Sequence, residues 1–374
     1  MLATVLRDFK FSLIVTVVCL AAAFAWGHRW EEGPLAATWV TLVLGVMEVT
    51  LSFDNAVVNA AILRDMDEKW RHLFLTVGIV IAVFGMRLFF PVAIVSMTTG
   101  MGLVEVAQLA LNQPDVYSQH LHANHTAIAS FGGVFLLLVF FSFLFDDSRE
   151  LHWLGPVERK LARLGKLDEI GILTALVVLY VVHRIVPLDE SHRFTVLSAG
   201  IAGVILYMAV DGLGSLFEAP DHASDEEKVA GGEAAKSVKK AATRAGLATF
   251  LYLELLDASF SFDGVIGAFA ITRDVVIIML GLTIGAMFVR SLTVFLVKRG
   301  TLEQYVFLEH GAHYAIGTLA IIMFVSIAED VPEALTGALG VVFIVAAVIS
   351  SVIYRRRLDA ARAAAPPTDG GSTS

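Results

Sequence analysis

The sequence predicts an all-α polytopic membrane protein of about ten transmembrane helices, arranged as two inverted-topology repeats of five. Three observations lead there. The 374 residues are 57% hydrophobic with a mean hydropathy of +0.74, more apolar surface than a soluble core of this size hides. Apolar runs recur at roughly 11–27, 35–63, 73–98, 126–145, 170–187, 194–214, 246–271, 275–297, 312–328 and 335–354, most of them near the roughly 20 residues that a helix needs to cross a bilayer. Finally, four signatures appear twice in the same order.

The first signature is Glu48-x-x-x-Ser52-Phe-Asp54, which returns as Asp257-x-x-x-Ser261-Phe-Asp263, an offset of 209 positions. Gly78 and Arg87 return as Gly281 and Arg290 at an offset of 203. His122-x-x-His125-x-Ala-Ile returns from His310 at 188, and Asp146-Asp147-x-x-Glu150 returns from Glu329 at 183. The offset shrinks steadily, as expected if the loops of the second half are shorter. Two homologous halves follow from such a repeat.

Taken in order, the first run carries Arg7 and Lys10 ahead of it and Ala23-Phe24-Ala25 near its end, features shared with a cleavable signal peptide. The five-plus-five symmetry needs this helix as the partner of 194–214, which favours an uncleaved anchor. The first repeat then occupies 1–190 and the first helix of the second repeat 191–214. A flexible cytoplasmic linker is expected at 215–245, acidic at its start (Glu218, Asp221, Asp225) and basic at its end (Lys239, Lys240, Arg244), a pattern open also to regulation or anionic-lipid contact. The remaining helices fill 246–354, and the Pro-, Gly- and Ser-containing tail 355–374 reads as disordered.

Orientation follows from the lysines and arginines. With the N-terminus inside, outer loops hold four of the 27 basic residues (Arg29, Arg184, Arg193 and Arg273), Arg87 and Arg290 lie within helices, and the other 21 fall on the inner segments. N-in and C-in is the expected topology, in a bacterial inner membrane. Five helices per half is odd, so the second half enters the bilayer upside down, and such repeats place substrate near the midplane at broken helices.

Composition also excludes chemistry. The net charge of −9 leaves no basic footprint for nucleic acid. Cys19 is the sole cysteine, so an internal disulfide, a thiolate metal cluster and a dithiol redox pair are ruled out.

What remains is oxygen and nitrogen inside the bilayer. An ionised side chain there costs roughly 2.5–3.5 kcal/mol even on insertion scales, and intramembrane acids face a cavity or a partner. Glu48, Ser52 and Asn55 share one helical face, as do Glu254, Asp257 and Ser261. Asp54 and Asp263 lie about 120° from the leading acids on an ideal helix, so one site holding them needs a local break, and Asn55 and Gly264 are types that tolerate it. With Glu48 and Asp257 near mid-span, the inverted directions put Asp54 and Asp263 about 9 Å to opposite sides. Carboxylates, hydroxyls and an amide suit a hard divalent cation such as Mn²⁺, Mg²⁺ or Ca²⁺. Arg87 and Arg290 are expected to pair with these acids. His122/His125 and His310/His313, at the starts of inverted helices, are candidate ligands or proton acceptors at the two faces, while the Asp146 and Glu329 groups read as solvated helix ends.

With these residues in hand, the stretch from Glu48 through Asp54-Asn55-Ala-Val-Val, its echo from Ser259 to Phe269, and Leu308-Glu-His-Gly-Ala-His-Tyr-Ala-Ile-Gly317 resemble the TerC-like integral membrane family. The likeness runs from about Leu35 to Ile353. That family is named for tellurium resistance and several members are linked to manganese export, so the resemblance implies a metal-ion exporter and assigns Glu48, Asp54, Asn55, Asp257 and Asp263 to the ion path. The plan is also similar to the lysine-exporter-like superfamily. This chain departs by Gly264 in place of a second Asn and by its long linker.

The functional expectation is a secondary transporter, not an enzyme, that exports a divalent cation, foremost Mn²⁺, in exchange for protons. Its partners are the lipid bilayer, the ion and the proton, with no permanent cofactor. An intramembrane metalloenzyme is disfavoured because the histidine pairs map to opposite faces and no His-Glu-x-x-His occurs. A metal-sensing scaffold that transports nothing, or an exporter of organic amines, are the alternatives. The topology has a direct test: alkaline phosphatase fused to the C-terminus should be inactive and a fluorescent protein there bright. The opposite pattern would invert the orientation.

Overall fold

The computed structural model describes residues 8–30, 32–167, 169–217, 233–299, 304–329 and 331–364, with the side chains of Asp263 and Glu333 among those lying outside the described set. The described residues form helices and turns and contain no strand. Helix α1 (Lys10–Trp26) leads through a short 3-10 turn to α2 (Gly33–Leu51), which has Pro34 in its first turn, where a missing N–H costs nothing. After a break at Ser52 comes α3 (Phe53–Asp65). Next, α4 (Glu68–Leu73) passes into π-helical stretches at Phe74–Gly78 and Ile81–Phe89 and ends as α5 (Phe90–Thr99). Two shorter helices, α6 (Leu103–Asn112) and α7 (Pro114–Ala123), precede α8 (His125–Leu144). The rest are α9 (Pro156–Ala162), α10 (Ile170–Ile185), α11 (Glu190–Phe217), α12 (Glu233–Ile271), α13 (Val275–Lys298), α14 (Leu308–Val325) and α15 (Glu333–Ala364).

Helix α8 is the central post. Every residue from Gly132 to Val139 is buried, so the helix is covered on all faces, which its continuous apolar sequence requires. It packs on α11 and α14, and its Val134, Phe135 and Leu138 meet Val57 of α3, Leu256 of α12 and Ile316 of α14 in one apolar cluster. A second cluster joins Leu44 of α2, Val95 of α5 and Ile277 and Leu282 of α13. At the rim, Val17, Val18, Leu173, Tyr180 and Val342 lie exposed on α1, α10 and α15, an apolar exterior suited to lipid.

Asp274 fastens α1 to α13. Its Oδ1 accepts from the backbone N–H groups of Val276 at 2.9 Å and Ile277 at 3.2 Å, capping α13, while Oδ2 accepts from the indoles of Trp26 and Trp30, each at 2.8 Å. One carboxylate thus satisfies two orphan amides and two ring donors.

Three sequence expectations change, and the helix count is met in part. Among the described residues eight helices are long and apolar enough to cross a membrane, against the ten expected. The helix at 170–187 forms but spans only 16 residues, and the stretch 246–271 forms within α12 but is not among the eight, its apolar character diluted by Glu254, Asp257 and Asp263. The linker 215–245 is shorter than expected: α11 continues to Phe217 and α12 begins at Glu233, the basic part being a run of good helix formers. Residues 218–232 lie outside the described set. The tail is likewise helical through Ala364, because Arg355 to Ala364 is rich in Ala and Arg; only 365–374 lie outside. Lastly, His122 and His125 do not share a helix. His122 ends α7 and His125 begins α8, with Asn124 between them donating to the His120 carbonyl at 2.7 Å and to Thr98 Oγ1 at 3.0 Å.

Replacing Asp274 by Ala removes a cap worth about 0.5–2 kcal/mol and strands two indole donors at about 1–3 kcal/mol for each that stays buried. The thermal midpoint of the detergent-purified protein should fall clearly for Asp274→Ala and less for Asp274→Asn. An unchanged midpoint in both would refute the clasp.

Candidate ion-binding site

The break between α2 and α3 is where the site begins. Ser52 adopts φ −102°, ψ 17°, and its hydroxyl donates to Oε1 of Glu48 at 3.0 Å. The turn presents Glu48, Ser52, Asp54 and Asn55, all at most 5% exposed, from two helix segments in place of one. The expected break is therefore present in the first motif. It is absent from the second, because α12 runs unbroken through Gly264. Gly264 matters instead for close packing, since a Cβ there would lie 2.6 Å from Oε2 of Glu48. A Cβ on Gly285 of α13 would come still closer to the Glu48 side chain, 2.2 Å from its Cγ. Both glycines make room for the buried carboxylate.

Arg87 comes from the π-helical stretch Ile81–Phe89, where the i→i+5 pattern characteristic of functional insertions shifts side chains around the axis. Its Nη2 donates to Glu48 Oε1 in a tight ion pair, and its Nη1 lies 4.0 Å from Asp257 Oδ2. Nη1 also donates to the Ala82 carbonyl at 2.9 Å. Asp257 in turn accepts from Asn55 Nδ2 at 2.8 Å and from Ser261 Oγ at 3.5 Å. The guanidinium therefore sits between the two leading acids of the duplicated motif, and Asn55 and Ser52 tie both acids to the broken turn.

The other sequence candidates divide. Glu254 is 5% exposed and, among the described residues, neither carboxyl oxygen has a hydrogen-bond partner. It lines a small cavity of about 40 Å³ with Asp257, Asn59, Thr293, Arg87 and Arg290. Asp54 lines a different and larger cavity, about 810 Å³, which it shares with His122, His125, Gly264 and Glu329. The side chain of Asp263 lies outside the described set.

A family profile described as a protein of unknown function, DUF475, matches residues 53–358. This chain belongs to the DUF475 family. Searches of curated proteins and of solved structures gave no match. The DUF475 match takes in Asp54, Arg87, Glu254 and Asp257 and begins five residues after Glu48.

One expectation about this DUF475 chain is corrected by its geometry. Among the described side chains, Arg290 does not pair with the acids as Arg87 does. Both its Nε and Nη2 donate to the Leu75 carbonyl, at 2.8 and 2.6 Å, a backbone group in the π-helical stretch Phe74–Gly78. His310 and His313 lie apart from the cavities that hold Asp54 and Asp257. His310 Nε2 is 3.1 Å from the Leu151 carbonyl and 3.6 Å from Glu158 Oε1, and the His313 ring stacks on Phe143 at 3.9 Å. Arg149 lies over the other part of this cluster, 3.4 Å from the Phe143 ring centre, and bonds Glu309 at 2.9 Å and Asp146 at 3.1 Å. Burial opposes ionisation of Asp146, but hydrogen bonds from Ser148 and Arg149 outweigh it and hold the carboxyl below its ordinary value. This group is therefore more than a solvated helix end.

Asn59 was missed by sequence reasoning. It falls 11 residues after Glu48, which returns it to the same helical face within about 20°, so extending that face by one turn would have found it. Among the described residues no three His, Cys, Asp or Glu side chains gather as metal ligands; in this arrangement Arg87 takes the position between Glu48 and Asp257.

Removing Arg87 leaves two buried acids without their cation, a change worth about 3–5 kcal/mol. Arg87→Leu should therefore lower the thermal midpoint sharply, and adding Glu48→Gln should restore part of the loss. No recovery in the double variant would show that the arginine acts through packing alone.

Proposed function

We propose that this protein is an inner-membrane secondary transporter that exports a divalent cation, foremost Mn²⁺, in exchange for protons. The observation that carries the reading is the guanidinium of Arg87 held between Glu48 and Asp257. Two acids brought from distant parts of the chain, buried and bridged by one positive side chain, make a site built for positive charge. A cation arriving from solution could displace the arginine, and the arginine could return when the cation leaves, so that neither acid is left uncompensated at any stage.

Supporting features lie around this centre. The cavity of about 810 Å³ brings Asp54 together with His122, His125 and Glu329, oxygen and imidazole donors of the kind Mn²⁺ accepts. On the proposed topology the histidine and Glu329 end of that cavity faces outside and would be the release path. The resemblance to TerC-like proteins points the same way. The two five-helix repeats, inverted in the membrane, would supply the alternate opening.

The test is Mn²⁺ flux in proteoliposomes under an imposed pH gradient, with Mg²⁺, Ca²⁺ and an organic amine as competitors. Wild type should move Mn²⁺ when the proton gradient drives it, and Glu48→Gln and Asp257→Asn should each abolish flux while still inserting and purifying as monodisperse protein. Full flux in both variants would end the proposal. Mn²⁺ binding without flux would favour a sensing or metallation scaffold, and inhibition by the amine alone would move the substrate to organic cations.

A further inference from the structure

The cavity of about 40 Å³ beside Asp257 is unusual for what its walls leave unsatisfied. Among the described residues, both oxygens of Glu254 and Oδ1 of Asn59 are buried without a hydrogen-bond partner, and both residues line this cavity. They are 5% and 4% exposed, and buried polar atoms are ordinarily paired. Thr293, on the same wall, spends its proton on the Val289 carbonyl at 3.0 Å, which leaves its oxygen as a further acceptor. Against these acceptors the one orphan donor at the wall, among the described atoms, is Nε of Arg87.

The charges reinforce the count of acceptors. Among the described side chains, Glu48, Asp257 and Glu254 contribute three carboxylates to this region, while Arg87 and Arg290 contribute two guanidiniums. With all five ionised, the described carboxylates outnumber the guanidiniums by one. A water molecule would fit, since about 10–15 Å³ suffices for one, and would satisfy hydrogen bonds, but it would leave the charge uncompensated. The close approach of the backbone supports a dedicated space: a Cβ on Gly78, in the π-helical stretch, would lie 2.5 Å from Oε1 of Glu254.

We propose that this cavity binds one small monovalent cation of the Na⁺ class, held by Glu254 and Asn59 with Asp257 and Thr293 completing an oxygen shell. Hard cations take such carboxylate, amide and hydroxyl oxygens, and a single charge restores neutrality where a divalent ion would overshoot it. The proposal does not depend on whether the protein moves Mn²⁺, because it is read by equilibrium binding.

The experiment uses the full chain purified in detergent at pH 8, with ²²Na⁺ in a scintillation proximity assay and choline chloride as the inert salt. Binding should saturate, be displaced by unlabelled NaCl and not by choline chloride, and be accompanied by a NaCl-dependent rise in the thermal midpoint. Glu254→Gln and Asn59→Ala should each weaken it by roughly tenfold or more, the worth of a charge-assisted ligand. Gly78→Ala should do the same by driving a Cβ into the space beside Glu254 Oε1 while leaving every ligand residue in the sequence, whereas Asp115→Asn, at an exposed ion pair with Arg273, should leave binding unchanged. Absence of saturable binding in wild type, or undiminished binding in all three cavity variants, would overturn the proposal. So would a midpoint raised by acid and not by NaCl, which would make the missing charge a proton.

Discussion

Burying Glu48 and Asp257 together is tolerable because Arg87 lies between them. An isolated carboxylate in such surroundings would cost several kcal/mol, and two would repel each other as well. Much of the neighbouring architecture serves this arrangement. The break at Ser52 turns its hydroxyl onto Glu48 and lets Asn55 reach Asp257. Gly264 and Gly285 allow α12 and α13 to close over the Glu48 side chain. The π-helical stretch gives Arg87 its position in the middle of the group.

The two copies of the motif have not been used alike. In the first, the acid is paired, the helix breaks, and the arginine bridges. In the second, the helix is continuous, Arg290 binds a backbone carbonyl, and Glu254 is left buried without a hydrogen-bond partner among the described residues. Glu254 takes the place of Gly45 at the motif's offset of 209. In the first half Gly45 lets α13 approach, with Ile284 and the Gly281 carbonyl against it; in the second, the glutamate occupies the corresponding gap beside Gly78.

The histidine pairs illustrate a similar divergence. His122 and His125 border the large cavity that reaches Asp54, whereas His310 and His313 are absorbed into an aromatic and ionic cluster with Phe143, Arg149, Glu158 and Glu309. The latter pair joins the segment after α8 to the start of α14.

The sequence by itself determined the helical, membrane-suited character of the chain, because apolar runs of bilayer length have few other solutions, and it singled out Glu48, Asp54, Asn55, Arg87 and Asp257, because charge inside such runs is costly and demands a purpose. It also located the need for a break near Ser52, from the angle between Glu48 and Asp54 on an ideal helix. It did not determine which cation meets which acid, since a guanidinium on a long side chain reaches several partners and the choice depends on π-helical phase and on where α12 and α13 cross. Nor did it reveal that Asn59 and Glu254 share a cavity, that Asp274 clasps two tryptophans, or that His310 and His313 pack on Phe143. Those are contacts between residues far apart in the chain, and only tertiary structure decides them, because periodicity records the face on which a side chain lies and not the neighbour that face will meet.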